Sequence, residues 1–107
     1  MIDQDFVRFY VMPSLKEHCQ QSELALGRPF AEVHRWLDEF AGKPPFGMKH
    51  RHLRHHAQGV GEVRRIFGDD AARAARLHIE MDLAQEGWTP SDPFPRNSEH
   101  YRALGLF

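Results

Sequence analysis

The decisive stretch of the sequence is 49-KHRHLRHHAQGVGEVRRIF-67, which holds four of the eight histidines of the chain. Wound as an α-helix at about 100° per residue, it places His52 and His56 one turn apart and pointing inward. Two inward imidazoles at this spacing can share one metal ion. Both lie inside an apolar stripe formed by Leu53, Ala57, Val60, Val63 and Phe67. The stretch therefore predicts one helix that carries a buried site.

Length and composition predict a single folded domain over residues 1–107. The 14 basic and 15 acidic side chains give a net charge of -1, so no global field favours nucleic acid or a membrane surface. The sequence contains no apolar run of membrane-spanning length, and its N-terminal MIDQDF is acidic where a signal peptide is basic. The single cysteine, Cys19, excludes an intrachain disulfide and fits a reducing compartment. We expect a cytoplasmic protein without membrane contact.

Helix start and stop signals predict an all-α fold, a bundle of four to five helices. The capping-box pattern of Ser14 and Glu17 opens a helix that ends before Gly27. A second helix follows over 29–42. Residues 1–12 fit either a strand or a short helix, and a helix is the preferred interpretation.

The C-terminal half predicts a helical hairpin and an extended segment. Gly68 stops one helix directly before the alanine-rich helix 69–87 begins, so the two helices should pack antiparallel. Residues 88–97 contain three prolines and no helical period, which predicts a Pro-rich extended segment across the bundle. Asn97 or Ser98 is positioned to cap a last short helix.

Three of the predicted helices carry two possible metal ligands one turn apart, and pairs that face one cavity would form a nitrogen and oxygen site for a divalent ion. Zn, Fe, Mn and Ni are the candidate metals. The preferred ligands are His52, His56, His78 and Asp82. Completing or surrounding ligands are His34, Asp38 and His55.

These residues leave more than one function open. One is a metal-dependent hydrolase, in which an ion-bound hydroxide attacks a phosphoester or amide and His55 carries a proton. The other is a non-catalytic helical interaction module, in which a buried network of His–Asp hydrogen bonds sets the helix register. The alanine-rich helix has apolar surface on two sides, which makes a homodimer a further expectation.

The same stretch also permits an anion-binding surface, which is the less favoured interpretation. Lys49, Arg51 and Arg54 face no nearby acid in the sequence, and Lys43 and 64-RR-65 extend the basic run. The run lacks interleaved aromatic residues for base stacking. Nucleic acid is therefore an unlikely partner.

Between His34 and Gly68 the chain resembles a family of small uncharacterised bacterial and phage-type helical proteins. The resemblance lies in the motif 34-HRWLD-38 followed by 51-RHLRHHAQG-59. It implies that His34, Asp38, His52, His55 and His56 act as a unit. A more distant similarity is to the HD-type metal phosphohydrolases, which use a His, a His-Asp dipeptide and a later Asp. In this chain the dipeptide at the corresponding place is His55-His56 and not His-Asp, with His34 before it and Asp82 after it.

Overall fold

Side-chain caps begin three of the helices in the part of the chain that the structure describes. A computed structural model describes residues 13–107, apart from the side chain of Met48. The helix expected within residues 1–12 lies outside that range. The described part contains no strand, and its helices are α1 Leu15–Leu26, α2 Ala31–Leu37, a 3-10 helix Gly47–His50, α3 Arg51–Arg54, α4 Ala57–Phe67, α5 Asp69–Gln85 and α6 Ser98–Ala103. The predicted all-α class is confirmed.

The first helix has the predicted ends. The Ser14 hydroxyl accepts a hydrogen bond from the Glu17 amide at 3.1 Å, and the Glu17 carboxylate accepts one from the Ser14 amide at 3.0 Å. At the other end Gly27 adopts the left-handed conformation with φ 84°, which an L side chain rarely adopts. These contacts satisfy backbone groups that α1 would otherwise leave exposed.

The second helix is shorter than expected, because it ends at Leu37 instead of continuing to Gly42. The Arg54 guanidinium donates to the carbonyl of Trp36 at 2.6 Å and lies 3.9 Å from the centre of its ring. This contact takes up a carbonyl that a longer helix would use internally. Asp38 becomes the capping residue at the end of α2.

The long helix α5 forms the centre of the molecule, since it packs against α1, α2 and α4. Gly68 is the one residue between α4 and α5, and its φ of 104° turns the chain back on itself, as the hairpin prediction requires. Small side chains let neighbouring helices approach α5 closely. The buried apolar residues of this core include Val33, Leu37, Val63, Ala71, Ala74, Ala75, Ile79 and Leu83.

The continuous helix expected over 49–67 is wrong, because the chain breaks at His55 and His56. The backbone of His56 is extended, with φ -160° and ψ 175°, and its Nδ1 accepts a hydrogen bond from the Gly59 amide at 3.1 Å. The first amides of α4 donate to carbonyls of the C-terminal segment, from Ala57 to Pro95 and from Gln58 to Arg96. A new helix start with its own caps therefore replaces the expected helix interior.

Gly59 permits this break. A Cβ atom at position 59 would lie 1.8 Å from the backbone oxygen of Arg54, far inside van der Waals contact. The absence of a side chain lets the start of α4 pass directly beside the end of α3.

The C-terminal segment is extended, as predicted, and lies against the bundle. The Trp88 indole donates to the carbonyl of Pro93 at 2.9 Å, and its ring meets Phe94 edge to face. Asn97 caps α6 by accepting from the amide of His100 at 2.8 Å. None of the described helices is long and apolar enough to cross a bilayer.

Candidate metal centre

Seven histidine and aspartate side chains converge beside α5, brought together from α1, α2, the 3-10 helix, the α3–α4 break and α5 itself. Asp38 is the most accessible of them, with 25% of its side chain exposed, while the other six residues are buried. Buried polar groups at this density need partners. We call these residues the His/Asp cluster: His18, His34, Asp38, His50, His55, His78 and Asp82.

The centre of the cluster is a ring of two carboxylates and two imidazoles. Nε2 of His55 lies 3.3 Å from Oδ1 of Asp38 and 2.9 Å from Oδ2 of Asp82. Nε2 of His78 lies 3.3 Å from each of the same two oxygens. The ligand atoms of these four residues all lie within 4.8 Å of one another. This spacing brings four metal-ligand atoms around one point.

Oδ1 of Asp38 has more neighbours than a carboxylate oxygen can serve as a hydrogen-bond acceptor. Besides His55 and His78, Nε2 of His50 lies 3.2 Å from it. A carboxylate oxygen has two lone pairs, and good N–H···O bonds are about 2.9–3.0 Å long. Three imidazole nitrogens at 3.2–3.3 Å therefore crowd this oxygen, and their hydrogen bonds to it are longer than usual.

His18 and Asp82 form the far side of the cluster. The His18 ring stacks on that of His78 with centroids 3.6 Å apart, and its Nε2 lies 3.3 Å from Oδ1 of Asp82. Among the described residues, neither ring nitrogen of His18 nor Oδ1 of Asp82 has a hydrogen-bond partner with acceptable geometry. The guanidinium of Arg51 lies 3.7 Å from that oxygen. Arg51 also pairs with Glu86 at 2.7 Å.

The histidines keep both aspartates ionised. Burial disfavours the charged carboxylate of Asp38, but hydrogen bonds from His50, His55 and His78 outweigh it and hold its pKa far below the usual range. For Asp82, burial is likewise outweighed by His18, His55 and His78, and its pKa is also far below normal. Burial opposes protonation of His78, but the two carboxylates raise its pKa. The cluster therefore holds two ionised carboxylates beside His78, whose protonated form they stabilise.

His34 lies behind His78, away from the carboxylates. Nδ1 of His34 is 2.9 Å from Nδ1 of His78, and Nε2 of His34 is 2.8 Å from the hydroxyl of Ser22. Burial, together with the nearby His78 and His18, lowers the pKa of His34 to about 4. His34 is therefore a neutral hydrogen-bonding residue at neutral pH.

The structure brings together most, but not all, of the residues singled out from the sequence. His34, Asp38, His55, His78 and Asp82 belong to the cluster. The other two, His52 and His56, are not aligned as a ligand pair, because the helix that would have aligned them is broken.

Those two histidines have other contacts. The ring of His52 packs against Tyr101 at 5.1 Å between centroids. The Nε2 of His56 donates to the carbonyl of Leu53 at 3.1 Å, while its Nδ1 caps α4. The His56 side chain therefore stabilises the α3–α4 break.

Sequence reasoning missed His18 and His50. His18 shares a helix face with Ser22, one turn later, and both are fully buried. That i, i+4 pair of polar residues on α1 was the available signal. His50 falls at the end of a 3-10 helix of four residues, too short to show a hydrophobic period.

The basic stretch is largely neutralised by acidic residues. Arg54 pairs with Glu39 at 2.7 Å and Arg65 with Glu62 at 2.6 Å, both near the surface. Arg51 is buried with Asp82 and Glu86. These contacts occupy guanidinium groups that the anion-binding interpretation needs free.

Residues 12–92 match the family described as domain of unknown function DUF6915. The chain belongs to this family. The match includes every residue of the His/Asp cluster, in agreement with the predicted membership of an uncharacterised family. No curated protein and no solved structure matches the chain significantly.

Proposed function

We propose that the protein binds one divalent metal ion through Asp38, His55, His78 and Asp82. The spacing of the four donor atoms carries the proposal. In a tetrahedral site with metal–ligand distances of about 2.1 Å, neighbouring donors lie about 3.4 Å apart. Each of the two imidazole nitrogens here lies 2.9–3.3 Å from both carboxylates. All four donor atoms lie within 4.8 Å of one another, so an ion among them would have every donor close by.

The charge of the region supports the same proposal. Asp38, Asp82 and Glu86 contribute three carboxylates, and Arg51 contributes the one buried guanidinium that pairs with them. Burying unbalanced charge is very costly. The two aspartates already favour a proton on His78, and a divalent cation that displaces this proton would balance the remaining two negative charges.

The donor chemistry narrows the choice of metal. Two imidazole nitrogens and two carboxylate oxygens suit Zn, and they also suit Fe, Mn or Ni with more than four ligands. His50, whose Nε2 is 3.2 Å from Oδ1 of Asp38, is close enough to complete a larger ligand set. Zn is the first ion to test, because imidazole nitrogens and carboxylate oxygens are among its usual ligands.

The test is elemental analysis by mass spectrometry of protein purified without a histidine tag or nickel column, so that the native histidines take up no nickel during purification. We expect close to one ion per chain, and a melting temperature that falls on treatment with EDTA and recovers with Zn. Protein that binds no Zn, Fe, Mn or Ni and melts identically with and without chelator would overturn the proposal. The cluster would then be the hydrogen-bond network of an interaction module.

A hydrolase is the second candidate, and the exposure of Asp38 favours it. The partly exposed Asp38 side chain gives the proposed site a side that faces solvent. If the ion took a water from this side as a fifth ligand, it would lower the pKa of that water to about 7. His55 lies among the proposed ligands, so His50, beside Asp38, is the better placed proton carrier.

Hydrolysis is tested separately from metal binding, with the Zn- and Mn-loaded protein on chromogenic phosphoesters and amides. We expect His50→Gln to retain the ion but lose most of the rate, and His55→Ala to lose both. Loaded protein that hydrolyses none of these compounds faster than the chelated protein would reject the hydrolase and leave the metal site standing.

A further inference from the structure

A chain of hydrogen bonds leads from the back of the proposed site into α1. It runs from Nδ1 of His78 to Nδ1 of His34 over 2.9 Å, and from Nε2 of His34 to the Ser22 hydroxyl over 2.8 Å. Each of the three side chains is at most 1% exposed. Water therefore cannot replace either bond readily.

Metal ligation would fix the direction of every bond in this chain. A neutral imidazole carries one proton, on either Nδ1 or Nε2. When Nε2 of His78 gives its lone pair to an ion, the proton must lie on Nδ1, which then donates to Nδ1 of His34. Nε2 of His34 must carry the other proton and donate to the Ser22 hydroxyl oxygen.

We propose that His34 and Ser22 are positioning residues that fix the tautomer and ring orientation of His78 for metal binding. Ligating histidines commonly donate their second N–H to such a partner, which orients the ring and makes it a stronger ligand. This inference rests on the proposed metal site. It also gives His34 a role other than the ligand role expected from sequence, because both of its ring nitrogens are engaged.

NMR of the ring nitrogens tests the proton positions directly. In the Zn-loaded protein with labelled histidines, we expect a pyrrole-type signal for Nδ1 of His78 and for Nε2 of His34. We expect a pyridine-type signal for Nδ1 of His34. A pyrrole-type Nδ1 in His34, or a His34 nitrogen bound to the metal, would overturn the inference.

Ser22→Ala tests the far end of the chain with a small change in volume. We expect the Zn affinity, measured by competition with a chelator, to fall by about 10–100-fold while the protein still binds one ion per chain. Cys19→Ala, on the same helix and half-buried, is the matched control and should bind Zn like the wild type.

These measurements separate this inference from the proposal on which it rests. A wild-type protein that binds no Zn would overturn the metal site itself. If the wild type binds Zn but Ser22→Ala binds equally well, with an unchanged His34 tautomer, the metal site stands and the positioning role is rejected. A purely structural role for Ser22 would lower the melting temperature without changing the proton position on His34.

Discussion

Asp82 is the residue on which most of the buried polar contacts depend. Its carboxylate faces His18, His55, His78 and Arg51, and the side chain is 2% exposed. Replacing it with alanine leaves His18 without a carboxylate contact and removes one of the two carboxylates that face His55, His78 and Arg51. Removing one partner of a buried ion pair costs about 3–5 kcal/mol.

We therefore expect Asp82→Ala to lower the free energy of unfolding by about 3–5 kcal/mol, measured by urea denaturation of the metal-free protein. Glu39→Ala is the control, because the Glu39 pair with Arg54 is half exposed and such pairs contribute less than about 1 kcal/mol. Equal effects of the two substitutions would contradict the assignment of Asp82 to a buried network.

The neighbours His55 and His56 differ sharply in the role that the structure assigns to them. His55→Ala removes a proposed ligand, so we expect the metal content to fall well below one ion per chain. His56→Ala removes a helix cap and should cost about 0.5–2 kcal/mol of stability with metal content unchanged. Loss of the ion in His56→Ala would support the pairing predicted from the sequence instead.

At the residue scale, the sequence indicated which histidines and aspartates are buried better than it indicated which residues they contact. The i, i+4 spacing of His78 and Asp82 lies on a helix of 17 residues, long enough for periodicity to indicate which face is buried. It did not reveal His18, because the approach of α1 to that face depends on tertiary packing. The ligand role of His34 stays a prediction, since ring nitrogens of His18, His34 and His78 also lie within 4.8 Å of one another, but spacing cannot show the contact of its Nε2 with Ser22.

At the scale of an element, the joint between α3 and α4 decides where His55 points. Gly59 lies against the backbone of Arg54, whereas a Cβ atom at Gly61, two residues later in α4, would meet no described atom within 4 Å. The two glycines share a helix and differ in their surroundings, which makes them a matched pair.

We expect Gly59→Ala to destabilise the protein strongly and disturb the α3–α4 joint, because the new methyl group would overlap a carbonyl oxygen. Gly61→Ala should stabilise α4 by up to about 1 kcal/mol. Thermal melts of both variants, with circular dichroism to check helix content, provide the comparison. A Gly59→Ala protein as stable as Gly61→Ala would refute the close approach of the two helices.

The caps and the hairpin were predictable because their signals are local. Ser14, Glu17, Gly27, Gly68 and Asn97 act within a few residues of their own position. The α3–α4 break was not predictable, because the first amides of α4 donate to the carbonyls of Pro95 and Arg96, about forty residues away. A short-range pattern cannot show such a contact.

At the scale of the whole molecule, buried neutral histidines make the fold sensitive to acid. Burial lowers the pKa of His34 to about 4, and it lowers the pKa values of His18 and His56. In the unfolded chain a histidine titrates near 6.5. Between these values the unfolded state binds more protons, so the stability is complete above pH 6.5 and is lost as the pH falls towards 4.

We expect the melting temperature of the metal-free protein to fall between pH 7 and pH 4.5. The raised pKa of His78 acts in the opposite direction, because its contribution is present at low pH and is lost as the pH rises. The lowered values of Asp38 and Asp82 add a further loss only below about pH 4. A flat profile from pH 7 to pH 4.5, or one that rises towards acid, would contradict this balance.

The apolar surface of the alanine-rich helix, which the sequence analysis assigned to a homodimer, is covered by other helices of the same chain. Ala71, Ala72, Ala74 and Ala75 are at most 2% exposed in the single chain, since helices on several sides cover α5. Homodimer formation stays a prediction, but these alanines do not supply an apolar face for it.

The uneven exposure of the proposed ligands has a kinetic consequence. His55, His78 and Asp82 are sealed from solvent, and Asp38 is partly open, so an ion would enter and leave past a single carboxylate. Release of the ion would then require an opening motion of the protein. The rate of metal loss should therefore level off as the chelator concentration rises, and the bound ion would exchange slowly with solvent.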